Sequence, residues 1–278
     1  MTMRAVSRHT VRVVVVIGGI AIAIETYSQH FASRLRRRYA GFIAVRQAAD
    51  FRFRVELVSS PRRLHGYSEG LEVVFRNALW HLRRGDFRAM WDMRRRQGWM
   101  QPTDVLHGLD AVLRIVHSLI LAEEGGFLVH AASLIRNGKA WAFAGVSGTG
   151  KTTMARLAPL DTTLLSDEVT YIRRQTAADG TSGYLAYGNP FYGELRKSGV
   201  NTEAPLFQLC LLEQGKRHTL QAVERGEAVR ALLRHVMCFS RDVALGNCLF
   251  DAVCAFVDQV PVTRLTFARD PGVWELMQ

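Results

Sequence analysis

Hydrophobic positions along the chain alternate, cluster or recur at helical spacing, and each rhythm predicts an element. Near the start, VVVVIGGIAIAI is apolar on both sides of Gly18-Gly19, the pattern of two strands joined by a tight turn. In SQHFASRLRRRYAGFI, Phe31, Leu35, Tyr39 and Phe42 recur at helical spacing, which leaves Arg36-Arg37-Arg38 on a solvated face. FRFRVELV alternates as a half-buried strand does, and LEVVF reads as another. The segment holding Trp80, Trp91 and Trp99 has no clear period; its aromatics read as core packing, with single-stranded nucleic acid the alternative.

From Thr103 the pattern sharpens. Thr103 is placed to cap a helix whose Leu106, Leu109, Leu113, Val116 and Ile120 face one way, ending at Gly125-Gly126. GFLVHAASLI and KAWAFAGV flank Asn137-Gly138, and Asn-Gly between apolar runs marks a hairpin because both turn residues need positive φ. MARLAPL begins a helix that Pro159 stops. TTLLSDEVTYI reads as one strand, TAADGTSG as a turn, GNPFYGEL as a loop and LFQLCLLEQ as a strand. Helices follow over 224–238 and 242–257, and VTRLTFA is a last strand. The break in signal divides the chain into an α+β region, 1–102, and a larger α/β domain, 103–278.

Composition adds two constraints. A formal charge of +11 comes almost wholly from arginine, since lysine occurs only at Lys139, Lys151, Lys197 and Lys216. Dispersed arginines do not by themselves point to nucleic acid, so none is expected as a partner. The cysteines Cys210, Cys238, Cys248 and Cys254 form no C-x-x-C pair and read as buried reduced thiols. Arg4, Arg8 and Arg12 before the opening apolar run imitate a secretory signal. The run is β-branched, split by glycines and too short to span a bilayer, so a cytoplasmic protein without a membrane span is expected.

Gly145-Val-Ser-Gly-Thr-Gly-Lys151-Thr152 satisfies G-x-x-x-x-G-K-[ST] at every fixed position, between an apolar strand and a helical pattern. Such a loop turns successive amides of Gly145, Ser147, Gly148, Thr149, Gly150, Thr152 and Thr153 toward phosphate oxygens. Lys151 then neutralises phosphate charge, and the Thr152 hydroxyl is a Mg²⁺ ligand. ATP and Mg²⁺ are the expected cofactors. Asp167 and Glu168 supply the carboxylates a phosphoryl transfer needs: one to take a proton, one to hold metal. On a strand these neighbours would point to opposite faces. His130, on the strand expected to pair with the one feeding the loop, reads equally as a core histidine or a catalytic one.

HAASLIRNGKAWAFAGVSGTGKTT, LLSDEVTYI, GNPFYGEL and VPVTRLTFARDPGVWEL, in this order over roughly 100–278, resemble the kinase domain of HPr kinase/phosphorylase and its relatives. Those relatives include small kinases beside peptide-modifying enzymes, lasso-peptide clusters among them. The resemblance implies a mixed sheet with a P-loop, related to phosphoenolpyruvate carboxykinases. It also implies a kinase that phosphorylates a serine of a peptide or small protein, with Asp167 as base and Lys151, His130 and Glu168 beside it. A homo-oligomer is compatible with this reading. The family commonly carries two aspartates where this chain has Asp167-Glu168. The helix by which the bifunctional members recognise HPr is not recognisable here, so HPr itself is not implied. A small-molecule kinase and a nucleotide-gated binding module remain alternatives.

Overall fold

The structure is a computed structural model that describes residues 9–57, 70–102, 105–176, 180 and 182–277. The chain forms two compact units, which divide within one helix between Val116 and His117, while Ile17–Gly19 groups with the second.

In the first unit the opening apolar run is indeed a strand pair, β1 (Val11–Ile17) and β2 (Ile20–Thr26). The run that imitates a secretory signal is thus core sheet, with Val13, Val15, Ile22 and Ile24 almost fully buried. Helix α1 (Gln29–Arg38) follows, its first turn capped by the Ser28 hydroxyl, which accepts from the Phe31 amide at 3.1 Å. The expectation of a wholly solvated arginine run is corrected at Arg38. Its guanidinium donates to Asp110 at 2.7 Å while the Tyr39 hydroxyl donates to the other oxygen at 2.6 Å. After β3 (Ile43–Ala44), β4 (Phe51–Val55) and β5 (Glu72–Arg76), the undetermined tryptophan segment becomes three strands: β6 (Leu79–Arg84), β7 (Phe87–Asp92) and β8 (Gln97–Pro102). Trp91 is buried between Phe51 and Phe53, which accounts for that aromatic as core. The eight strands run β3-β1-β2-β4-β8-β7-β6-β5, with β2, β4 and β8 parallel and antiparallel hairpins beyond. Helix α2 (Val105–Glu123) carries the predicted apolar stripe; its expected cap, Thr103, lies outside the described residues, as do Arg4 and Arg8.

The second unit is built on a mixed sheet. Its strands are β9 (Phe127–Val129), β10 (Ala131–Arg136), β11 (Lys139–Ala144), β12 (Thr163–Ser166), β13 (Thr170–Thr176), β14 (Ser182–Tyr187), β15 (Glu203–Gln214), β16 (Thr219–Ala222) and β17 (Val262–Phe267). The Asn137-Gly138 turn joins β10 to β11, with φ of 51° and 73°. Strand β11 lies parallel to β15, which lies parallel to β17; the other pairs are antiparallel. Against one face pack Met154 of α3 (Lys151–Arg156) and the C-terminal 3-10 turn (Pro271–Leu276), whose Trp274 meets Phe143 edge-on at 5.6 Å. Against the other pack α4 (Arg225–Leu233) and α5 (Val243–Val257), with Phe256 against Phe127 and Tyr184.

Three expectations are corrected here. The run GFLVHAASLI is two strands: β9 pairs with β13, while β10 pairs with β11 and β12, and His130 is the bend between them. TTLLSDEVTYI likewise breaks at Asp167-Glu168 into β12 and β13, so the opposite-face rule for neighbouring strand residues does not govern that pair. The Ser166 hydroxyl sets this bend by accepting from the Glu168 and Val169 amides at 3.2 and 3.0 Å. Of the cysteines only Cys210 is buried; Cys238 and Cys248 are exposed and Cys254 is intermediate, all four as free thiols. Among the described residues no helix is long and apolar enough to cross a membrane.

Candidate functional site

Both strand bends of the second unit meet the glycine loop. Strand β11 is buried along all but its first residue, and it delivers Gly145 rigidly to the sheet end, where the chain turns out into the loop and back into α3. Only glycine fits two of these positions. Gly150, at the N-cap of α3, has φ 109°, and a Cβ there would lie 2.5 Å from the Phe267 ring. A Cβ on Gly145 would lie 2.3 Å from the Thr149 hydroxyl oxygen, which itself donates to the Val146 carbonyl at 2.8 Å. Gln214, at the end of β15, steadies the loop tip by donating to the Gly148 carbonyl at 2.6 Å.

A cleft of about 360 Å³ opens beside the loop. Ser147, Gly148, Gly150, Lys151, Thr152 and Thr153 line one side, and His130, Asp167 and Glu168 line the other. Nine of the eleven residues expected at the site therefore share one cavity. The remaining two, Gly145 and Thr149, line a neighbouring cleft on the far flank of the loop.

Lys151 is buried, and its ammonium donates to the Gly145 and Val146 carbonyls at 2.8 and 3.2 Å. Burial pushes its pKa down, an effect Glu194 and Glu168 partly offset. A buried ammonium whose hydrogen bonds among the described residues go to its own loop's carbonyls retains affinity for an anion placed among the loop amides. His130 is half-buried and its pKa is lowered, first by burial and then by the Lys151 charge, while a hydrogen bond to the Glu168 backbone draws it partly back up. Neutral imidazole is thus the favoured form at neutral pH, able to accept or donate.

Asp167 is almost fully buried. Its two carboxylate oxygens accept from the Gly193 amide at 2.9 Å and the Leu195 amide at 2.8 Å. These amides belong to the glycine- and proline-marked loop, which Asn189 stitches to the same bend. Its side chain donates to the Val169 carbonyl at 2.6 Å and accepts from the Phe191 amide at 3.1 Å. The sequence reading missed these partners, together with Glu194 and Arg269 on the cleft wall and His235 behind His130. The only cue was the proximity of Asn-Pro and glycine in GNPFYGEL, which marks a turn but not what it grips.

The chemistry of this donor set fits a nucleoside triphosphate with Mg²⁺. The loop is held open by positions a Cβ would fill, and it carries a lysine and a threonine at the right places. Among the described residues no three His, Cys, Asp or Glu side chains group as a self-sufficient metal site. Mg²⁺ beside phosphates needs fewer, because it keeps waters and phosphate oxygens as ligands.

No curated protein matches the chain. The family model of the SynChlorMet cassette protein ScmC matches residues 100–278, a span that contains the glycine loop, both bends and the C-terminal turn. The chain accordingly belongs to the ScmC family of SynChlorMet cassette proteins.

Proposed function

We propose that the protein is an ATP-dependent phosphotransferase of HPr kinase-like type, acting on a serine hydroxyl of a peptide or small protein. The observation that carries this reading is the convergence of Lys151, His130, Asp167 and Glu168 on one cleft at the mouth of the glycine loop. Loop amides from Gly145 to Thr153 and the Lys151 ammonium bind the phosphates. Thr152 and Glu168 would hold Mg²⁺, which would supply charge neutralisation at the transferred phosphoryl oxygens. Asp167, oriented by the Gly193 and Leu195 amides, takes the acceptor's proton through its remaining lone pairs. The acceptor oxygen bonds to phosphorus as the bridge to ADP breaks. His130 would position the acceptor or the metal.

One observation favours a second reading. Both Asp167 oxygens are already engaged by loop amides, as suits a carboxylate that ties a moving loop to a nucleotide site in a gated binding module. Mass-detected transfer from ATP to serine-bearing peptides separates the two. The kinase reading requires transfer that depends on Lys151 and Asp167. Nucleotide binding without transfer to any peptide, protein or metabolite acceptor selects the module.

A further inference from the structure

The neighbouring cleft, about 290 Å³, lies on the other flank of the loop, with Val146 and Thr149 on one wall and Arg230, Arg234 and Arg264 on the opposite one. Its charge does not balance. Arg264 bridges Glu213 and Glu227, so three arginines against two acids leave the wall a net +1. Arg230 and Arg234 have no carboxylate partner among the described residues, and they stand four positions apart, on one face of α4 and its cap.

Two arginines in the last turn of a helix could simply complement its dipole. That role needs no cavity, and here both arginines line one. The segment after α4 is locked by backbone bonds to the bend that carries His130. The His130 amide donates to the His235 carbonyl at 2.8 Å, the Met237 amide donates to the Leu128 carbonyl at 2.8 Å, and Val236 bridges Val129. His235 is thereby held near Lys151 and His130, with Arg234 preceding it on the wall of the neighbouring cleft. Burial first, and then neighbouring Lys151, His130 and Arg234, depress the His235 pKa. A wall with net positive charge focuses potential on the cleft it lines. In the phosphotransferase reading the loop amides and Lys151 bind the phosphates, which leaves these arginines to the other reactant.

We infer that this cleft is an anion subsite in which Arg230 and Arg234 hold a carboxylate of the phosphate acceptor, so that the preferred acceptor is acidic. The identity of the carboxylate's owner rests on the phosphotransferase reading; the carboxylate binding itself does not. A guanidinium fork matches a carboxylate with two parallel N–H bonds, which selects an acidic side chain or terminus over its amide.

The test uses the full chain with a non-hydrolysable ATP analogue and Mg²⁺. Fluorescein-labelled peptides with glutamates flanking a central serine are compared with the same peptides carrying glutamines. Free serine and serinamide, as competitors, distinguish a small-molecule carboxylate from a side-chain one. The expected result is carboxylate-dependent binding that weakens about tenfold or more in Arg230→Gln and in Arg234→Gln. Arg234→Lys should recover part of it, and the nucleotide-induced thermal shift should be unchanged. Circular dichroism verifies that these exposed substitutions leave the fold intact. Equal binding of glutamate and glutamine peptides, absence of binding by any carboxylate probe, or full binding in the double glutamine variant overturns the inference. Loss of the nucleotide shift in the arginine variants also overturns it, by assigning them to the phosphates. A missing nucleotide shift in the wild type, with carboxylate binding intact, removes the phosphotransferase reading instead.

Discussion

Asp167→Asn is the most informative single change, because it separates what the carboxylate holds from what it does. In the native fold one oxygen accepts from Gly193 at 2.9 Å and the other from Leu195 at 2.8 Å. Asparagine has the same shape but one carbonyl oxygen, so its amide nitrogen must face a backbone N–H, donor against donor. One hydrogen bond to a carboxylate is lost and one amide in a half-buried loop is left without its partner, together worth about 2 kcal/mol. For a chain of this size that is about 4–8 °C in Tm. Asp167→Ala removes both acceptors and should cost more. Thermal unfolding gives the magnitude, and hydrogen exchange gives the place: the amides of Gly193 and Leu195 should lose protection first. If the proposed base role is also correct, transfer falls by roughly 10²–10⁴-fold, beyond what loosened acceptor or nucleotide binding explains. An asparagine variant with wild-type Tm and wild-type protection at both amides would refute the clamp. One with full transfer activity would refute the base.

Mg·ATP at a hundred times its Kd should stabilise the fold by about 2.7 kcal/mol, read as a rise in Tm that Lys151→Ala abolishes; an unchanged shift in the variant removes the loop as the site. Gly150→Ala should lower stability by roughly 1–3 kcal/mol and weaken nucleotide binding, since its φ is 109° and the new Cβ meets the Phe267 ring; denaturant unfolding and nucleotide titration measure the two effects. His130 and His235 both have pKa values depressed below their ordinary 6.5, so between those values and 6.5 the unfolded chain binds more protons than the folded one. Their contribution to stability is complete above pH 6.5 and is lost as pH falls through the lowered values; Tm should drop between pH 7.5 and 5.5, less steeply in His130→Gln and His235→Gln. Cys238 and Cys248, both exposed, should alkylate in the native protein, whereas Cys210, buried and with its thiol pushed up to about 12, should react only after unfolding; mass mapping of native labelling decides it.

Short-range pattern determined more of this protein than its mixed topology suggests. Gly18-Gly19 and Asn137-Gly138 each place a turn that few other residues could make, so both hairpins are written locally. The stripe of Leu109, Leu113, Val116 and Ile120 is buried as helical spacing requires, and Gly145 to Thr152 marks the loop by backbone needs that stay within eight residues. The sequence also sufficed to name Lys151, Asp167, Glu168 and His130, whose meeting in one cleft the structure describes.

What the chain alone did not decide is where apolar runs change partners. GFLVHAASLI and TTLLSDEVTYI each look like one strand, because hydrophobicity reports burial and not which neighbour supplies the hydrogen bonds. In the fold each run passes from one set of partners to another, β9 to β10 at His130 and β12 to β13 at Asp167-Glu168. The bends fall side by side, where the Thr170 hydroxyl donates to the Ala131 carbonyl at 3.0 Å. Only tertiary pairing could place a histidine and two carboxylates, more than thirty residues apart in sequence, at the mouth of one loop. The same holds for the amides that grip Asp167 and the backbone bonds that fix His235. Each joins groups distant along the chain through atoms every residue possesses, so no side-chain pattern records them.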